Sequence, residues 1–136
     1  MCFKDGHVQI FLSYARSDET FARALSSQLE RQGFSVWSPR EEVLPGDNIW
    51  LRTGEALKKS KAMVVLLSPD SMRSDHVRRE IEYALGDPNY EGRLFPVRIR
   101  PTEEIPWILR RLKTYEAGRS AAKISESIAS ALKQVA

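Results

Sequence analysis

The residues best placed to do chemistry lie in the run Ser74-Asp75-His76-Val77-Arg78-Arg79-Glu80-Ile81-Glu82-Tyr83-Ala84-Leu85, which reads as a capped amphipathic helix. Ser74 stands where a hydroxyl accepts an orphan backbone N–H of the first turn, and Asp75 favours the positive end of the helix dipole. Val77, Ile81, Ala84 and Leu85 fall at i, i+4, i+7 and i+8, which predicts one buried stripe. At roughly 100° per residue Glu82 points away from that stripe, whereas Glu80 sits on its shoulder, about 60° from Val77. A carboxylate on the shoulder lies half under whatever the helix packs on, where it can meet a ligand. Glu82 should be solvated. His76 is one turn before Glu80 on the same side.

What the chain lacks narrows the chemistry further. The single cysteine, Cys2, rules out an intrachain disulfide framework and suits a reducing cytosol, and two distant histidines, His7 and His76, argue against a zinc site. No G-x-G-x-x-G follows the first strand, and there is no G-x-x-x-x-G-K-[ST]. No G-x-S-x-G elbow offers a nucleophilic serine. A phosphoryl-accepting receiver domain would need an aspartate at the end of the third strand, and that strand ends in Leu67-Ser68-Pro69. The net charge of +3, from 21 basic and 18 acidic residues, is scattered rather than gathered in a stripe, so no nucleic-acid partner is expected. With no apolar signal run at Met1 and no run long enough for a membrane span, the expectation is a soluble, cytoplasmic protein without a membrane partner.

The elements that must position Glu80 are legible in order. A chain of 136 residues with 42% hydrophobic residues makes a single domain, residues 1–136. Residues 8–12 form an apolar strand, and 13–18 a polar loop ending at Asp18, a capping candidate. Phe21, Leu25 and Leu29 mark a helix closed by Gly33. Residues 34–37 are a second strand, and 38–47, with two prolines and a glycine, a loop longer than usual. A helix from Asp47 or Asn48 to Lys59 carries Ile49, Thr53, Ala56 and Leu57 on one side. The unbroken apolar run 62–67 is a strand covered on both faces, followed by a loop over 68–74. After the Glu80 helix come a turn cluster at 87–92 and a strand at 94–99, whose Pro96 places it near an edge or bulge. Residues 101–111 are irregular or briefly helical, 112–115 a short fifth strand, and Ser120 caps a last helix with Ile124, Ile128, Leu132 and Val135. Such alternation demands parallel strands joined by right-handed crossovers, hence an α/β sheet with helices on both faces. Ligands in that architecture sit beyond the carboxyl ends of the strands, where the loops 13–18, 38–47 and 68–74 meet.

Four segments then carry a resemblance. Phe11-Leu12-Ser13-Tyr14, Gly33-Phe34-Ser35-Val36-Trp37 with Gly46 beyond it, Val64-Val65-Leu66-Leu67-Ser68-Pro69, and Ser74 leading to Val77-Arg78-Arg79-Glu80-Ile81 resemble the successive signature boxes of a TIR (Toll/interleukin-1 receptor) domain of bacterial type, in order and at family spacing. The resemblance implies a flavodoxin-like three-layer sandwich around a five-stranded parallel sheet. For one large branch it implies cleavage of NAD+ between nicotinamide and ribose, with Glu80 at the position of the catalytic glutamate. It also implies NAD+ contacts at Ser13, Tyr14, Ala15 and Arg16, where Arg16 can face the pyrophosphate. Leu44 falls at a substrate-side position of the loop, and Trp37 is either core or pocket wall.

NAD+ is then a substrate, with no cofactor and no metal. Expulsion of neutral nicotinamide leaves an oxocarbenium-like ribose, the kind of charge a carboxylate stabilises. Two positions depart from the branch: His76 stands where a tryptophan is frequent, so stacking on nicotinamide rests on an imidazole, and Pro39 stands where an acid is usual. The resemblance further implies other TIR domains as partners, in a homo-oligomer or filament, and a sensor domain, fused or separate, in bacterial defence or effector signalling. The alternative from a different class is a non-catalytic adaptor docking through Val43, Leu44 and Pro45.

Overall fold

The computed structural model describes residues 3–4, 7–39, 45–46, 48–116, 118 and 120–135. Its strands are β1 (Phe3–Lys4), β2 (His7–Ser13), β3 (Ser35–Trp37), β4 (Ala62–Leu67), β5 (Leu94–Arg98) and β6 (Tyr115–Glu116). Its α-helices are α1 (Glu19–Arg31), α2 (Ile49–Lys59), α3 (Pro69–Met72), α4 (Asp75–Gly86), α5 (Trp107–Arg110) and α6 (Ala121–Val135). Parallel pairing runs β3-β2-β4-β5-β6. That is the flavodoxin-like order, which reverses direction between β2 and β4 and opens a crevice beyond their carboxyl ends.

Alternation of side chains along the central strands builds the two outer layers. Ile10, Leu12, Val64 and Leu66 face one way and pack with Ala22, Leu25 and Leu29 of α1 and with Ile124, Ile128 and Leu132 of α6. Phe11 and Met63 face the other way, onto Ala56 and Leu57 of α2 and Ala84 of α4. Val65 and Leu67 meet Val77 and Ile81 of α4. Every residue of β4 is buried, as its unbroken apolar run requires. Three helices start on side-chain caps: Ser74 Oγ accepts Val77 N–H at 3.4 Å and Ser120 Oγ accepts Lys123 N–H at 3.2 Å, as expected, and Asn48, one of the two starts open for α2, accepts Leu51 N–H through Oδ1 at 3.1 Å.

Several expectations are corrected. β1, unforeseen, pairs antiparallel with the first residues of β2. The fifth parallel strand is Tyr115–Glu116 rather than 112–115. It reaches only Val97 and Arg98 of β5, so Pro96 is paired on the β4 side alone and its missing N–H is tolerated. The stretch 68–74 is not all loop. Ser68 Oγ accepts Ser71 N–H at 3.1 Å while Ser68 N–H donates to Ser71 Oγ at 2.9 Å, and this reciprocal capping box nucleates α3. Arg16–Asp18 is a 3-10 turn, and Asp18 stands at the N-cap of α1 without capping it, because its carboxylate instead accepts Ser68 Oγ at 2.5 Å. Most of the loop 38–47, including Val43 and Leu44, lies outside the described residues.

Candidate functional site

Helix α4 does not bury the stripe that spacing alone suggests. Val77, Ile81 and Ala84 are buried, but Leu85 is 42% exposed and Glu80 only 5%. The helical wheel explains this. Taking Val77 as zero, Ala84 and Ile81 lie at about −20° and +40°, Glu80 at about −60°, and Leu85 at about +80°. The sheet and α2 cover the negative side of the arc, so Glu80 goes under and Leu85 comes out. His76 and Tyr83, at about −100° and −120°, share the side of Glu80 and are half-buried. Glu82 is exposed, as expected.

A buried carboxylate must be hydrogen-bonded to be tolerated. Ser13, the last residue of β2, donates from Oγ to Glu80 Oε1 at 2.7 Å, and both side chains are buried. This bond ties the carboxyl end of the sheet to α4 and points the carboxylate toward the crevice side of the domain. There Glu80 forms part of the wall of a cleft of about 600 Å³, together with Pro39, His76, Tyr83, Arg79 and, from α2, Ile49, Trp50, Thr53 and Leu57. The volume is that of a small-molecule site, and the lining is mainly apolar and aromatic around one carboxylate and one guanidinium. Ser74 Oγ, while capping α4, lies 3.1 Å from His76 Nδ1 and so positions the imidazole at the cleft wall. Tyr83 packs edge-on against buried Tyr90 at 6.3 Å between ring centres, and burial together with Asp87 raises the Tyr83 phenol above its ordinary value.

The expected site residues divide. Glu80 and His76 line the cleft. Ser13 is fully buried, donates to Glu80 and is not among the residues lining the cleft. Tyr14 is packed with the α1/α6 layer, on the opposite face of the sheet. Ala15 is buried at the start of the 3-10 turn, and Arg16 is exposed; neither is among the residues lining this cleft. Trp37 is half-buried, its ring tilted against Phe11 at 5.4 Å between centres; it packs against the core under α2 and also borders a separate small cleft of about 110 Å³, and it does not line the cleft of Glu80. Leu44 lies outside the described residues. Among the described residues, no three His, Cys, Asp or Glu side chains gather as a metal would need, and no helix is long and apolar enough to cross a membrane.

Sequence reading missed Trp50, Arg79 and Tyr83. A signal was present for the first: Trp50, Thr53 and Leu57 recur at i, i+3 and i+7, one face of α2, and all three line the cleft. Arg79 reaches back over Trp50, its guanidinium carbon 5.4 Å from the ring centre.

A second polar group sits at the strand reversal. Asp18 accepts Ser68 Oγ through Oδ2, while its buried Oδ1 accepts no hydrogen bond from the described residues and lies 3.6 Å from Arg100 Nη2. Burial raises the Asp18 carboxyl above its ordinary value, against the lowering effects of Ser68 and Arg100.

Comparison with known proteins shows the family and the fold. The family model of the TIR domain matches residues 10–133. The chain is 31% identical over 74 residues to AbTIR of Acinetobacter baumannii, named a 2' cyclic ADP-D-ribose synthase, a match over 54% of this chain and 28% of that protein. It is 26% identical over 86 residues to TcpC of Escherichia coli, named an NAD(+) hydrolase, over 62% of this chain and 28% of that protein. The match thus spans under a third of either relative's length. The crystal structure of the TIR domain of the Toll-related receptor TRR-2 from Hydra magnipapillata shares the fold, with a TM-score of 0.71 at 20% identity, covering 84% of this chain and 87% of that one.

Proposed function

The chain belongs to the TIR domain family, and from that premise we propose that it cleaves NAD+ between nicotinamide and ribose with Glu80 as the catalytic carboxylate. The observation that carries this reading is the Ser13–Glu80 hydrogen bond of 2.7 Å at the wall of a cleft of about 600 Å³. Two bacterial relatives whose names specify an NAD+ hydrolase and a cyclic ADP-ribose synthase support it.

In the proposed reaction the bond between ribose C1' and the pyridinium nitrogen breaks, and its electron pair leaves with nicotinamide, which departs neutral. Positive charge then spreads over C1' and the ring oxygen of the ribose. An ionised Glu80 beside that ring stabilises the charge as it develops, and does so more strongly in a largely apolar cleft than in water. Attack of water on C1', with loss of a proton, gives ADP-ribose. Attack by an atom of the same molecule gives a cyclic isomer. The test is incubation of the purified protein with NAD+ at high protein concentration, with chromatography of nicotinamide, ADP-ribose and cyclic isomers. Nicotinamide release by the parent protein and none by Glu80→Gln is the expected result; no release at any concentration would overturn the reading.

A second role, association with other TIR domains, is supported by exposed apolar surface. Ile49, Trp50 and Leu51 at the start of α2 are 47%, 63% and 60% exposed; the first two line the cleft, which leaves Leu51 as a large apolar side chain shown to water beside it. Assembly and catalysis are compatible, because Leu51 is not among the residues lining the cleft.

A further inference from the structure

The geometry points to Trp50 as the aromatic platform for the nicotinamide ring, with Arg79 as a cation that holds the ring face until the pyridinium replaces it. This rests on the proposed NAD+ cleavage and adds residues that neither the family resemblance nor the departure at His76 assigns.

Trp50 is 63% exposed, although it belongs to the α2 face whose next members, Thr53 and Leu57, are buried. It is not stray surface, since its ring forms part of the wall of the cleft that holds Glu80. The ring is also held: Arg79, one residue before Glu80 on α4, places its guanidinium carbon 5.4 Å from the ring centre. The pair therefore joins the two helices that wall the cleft. Indole is the strongest of the aromatic side chains at attracting a cation, and a planar cation on its face is the arrangement seen.

NAD+ brings such a cation. Its nicotinamide is a flat, positively charged pyridinium until the glycosidic bond breaks, when it becomes neutral. Exchange of guanidinium for pyridinium on the Trp50 face preserves the cation–π contact. The released guanidinium has five N–H donors free for the diphosphate of the same ligand. After cleavage the neutral nicotinamide holds the face less strongly than Arg79 does, so the return of Arg79 favours product release. A neutral dihydronicotinamide lacks the charge on which the exchange depends.

The comparison of NAD+ with NADH isolates that charge. Binding of each is measured by calorimetry to Glu80→Gln, in which turnover is blocked, and to the same protein carrying Trp50→Phe, Trp50→Leu or Arg79→Met. Trp50→Leu is expected to weaken NAD+ about tenfold and NADH about twofold, with Trp50→Phe between. Arg79→Met is expected to weaken both dinucleotides and to flatten the salt dependence of binding, through loss of the diphosphate contact. Exposed Trp50 can be replaced without opening the core, and circular dichroism checks the fold of each variant. Equal losses for NAD+ and NADH, or unchanged affinity in Trp50→Leu, would overturn the assignment while leaving NAD+ cleavage standing. Absence of NAD+ binding to Glu80→Gln, together with no nicotinamide release by the parent protein, would remove both.

Discussion

Ser13 and Glu80, 67 residues apart in the chain, share a 2.7 Å hydrogen bond in which the serine hydroxyl donates to the carboxylate. The bond fixes one carboxylate oxygen against the end of β2, so in the proposed reaction Ser13 would act through the orientation of Glu80. Ser13→Ala is expected to lower kcat for nicotinamide release about tenfold, the worth of one hydrogen bond to a charged group, with little change in KM. Ser13→Thr keeps the donor and should restore part of the loss. A change in KM alone, measured by steady-state kinetics, would instead put Ser13 in contact with substrate.

Glu80 and Glu82 differ by two positions and by opposite sides of α4. Glu80 is 5% exposed and bonded; Glu82 is exposed. Glu80→Gln keeps the shape and removes the charge, and is expected to reduce nicotinamide release by at least about a hundredfold, the scale of removing one electrostatic stabiliser from a transition state. Glu82→Gln should stay within about twofold of the parent, as surface substitutions away from a site do. Chromatographic rate assays on the two folded variants decide it, and equal losses in both would remove Glu80 from the mechanism.

Much of this was legible in the sequence because periodicity reports burial. The apolar run 62–67, the caps at Asn48, Ser74 and Ser120, and the shoulder position of Glu80 all follow from spacing and residue type. What spacing does not report is which side of a stripe the neighbouring element covers. Leu85 and Glu80 flank the same stripe at about +80° and −60°, and only the position of the sheet and α2 decides that the charged one is buried. Pairings across long separations were equally silent. Ser13 with Glu80, Asp18 with Ser68, and Arg79 with Trp50 each join different elements. Asp18 shows the cost of local reading: as a helix-start aspartate it predicts a cap, yet Ser68, delivered by the neighbouring strand, claims its carboxylate.

Asp18 should leave a mark on the pH dependence of stability. Burial raises its folded-state pKa above the ordinary 3.8, so between 3.8 and the raised value the native state keeps a proton that the unfolded chain has released. Stability contributed by the protonated form is full below 3.8 and is lost as pH rises through the folded value. The difference in unfolding free energy between the parent and Asp18→Asn, which does not titrate there, is therefore expected to move against the parent as pH rises from about 3.5 toward neutrality. Urea denaturation of both at a series of pH values measures it, and a difference that is flat or rises with pH would contradict the burial effect.

Leu51 is 60% exposed, next to Trp50, and outside the cleft lining. If the apolar start of α2 meets another TIR domain, the rate per molecule rises with protein concentration, and Leu51→Glu abolishes that rise by placing a charge in the contact. At low concentration, where the parent is also unassembled, the two should have equal rates. Light scattering alongside the rate assay is the check, and a strictly linear rate for a monomeric parent would count against assembly.

His76 is the remaining ring beside the carboxylate. It is half-buried, lies one turn before Glu80 on the same side of α4, and has Nδ1 3.1 Å from the capping hydroxyl of Ser74. With Trp50 on the α2 wall and His76 on the α4 wall, both rings border the cleft and the substrate ring can lie between them. An imidazole offers a smaller face than an indole, so its contribution to holding a pyridinium is smaller. His76→Ala is expected to lower kcat/KM for NAD+ about threefold and His76→Trp to raise it, the stacking gain being on the order of 1 kcal/mol. Because Trp50 and His76 would touch one ligand, their effects should not add. In a double-mutant cycle, His76→Ala combined with Trp50→Leu is expected to cost less or more than the sum of the two by about 0.5 kcal/mol or greater. Additive effects would place the residues against different parts of the substrate. Unchanged kinetics in both His76 variants would reduce His76 to a companion of the Ser74 cap, and thermal melts of His76→Ala and Ser74→Ala would then shift together while NAD+ cleavage stays constant.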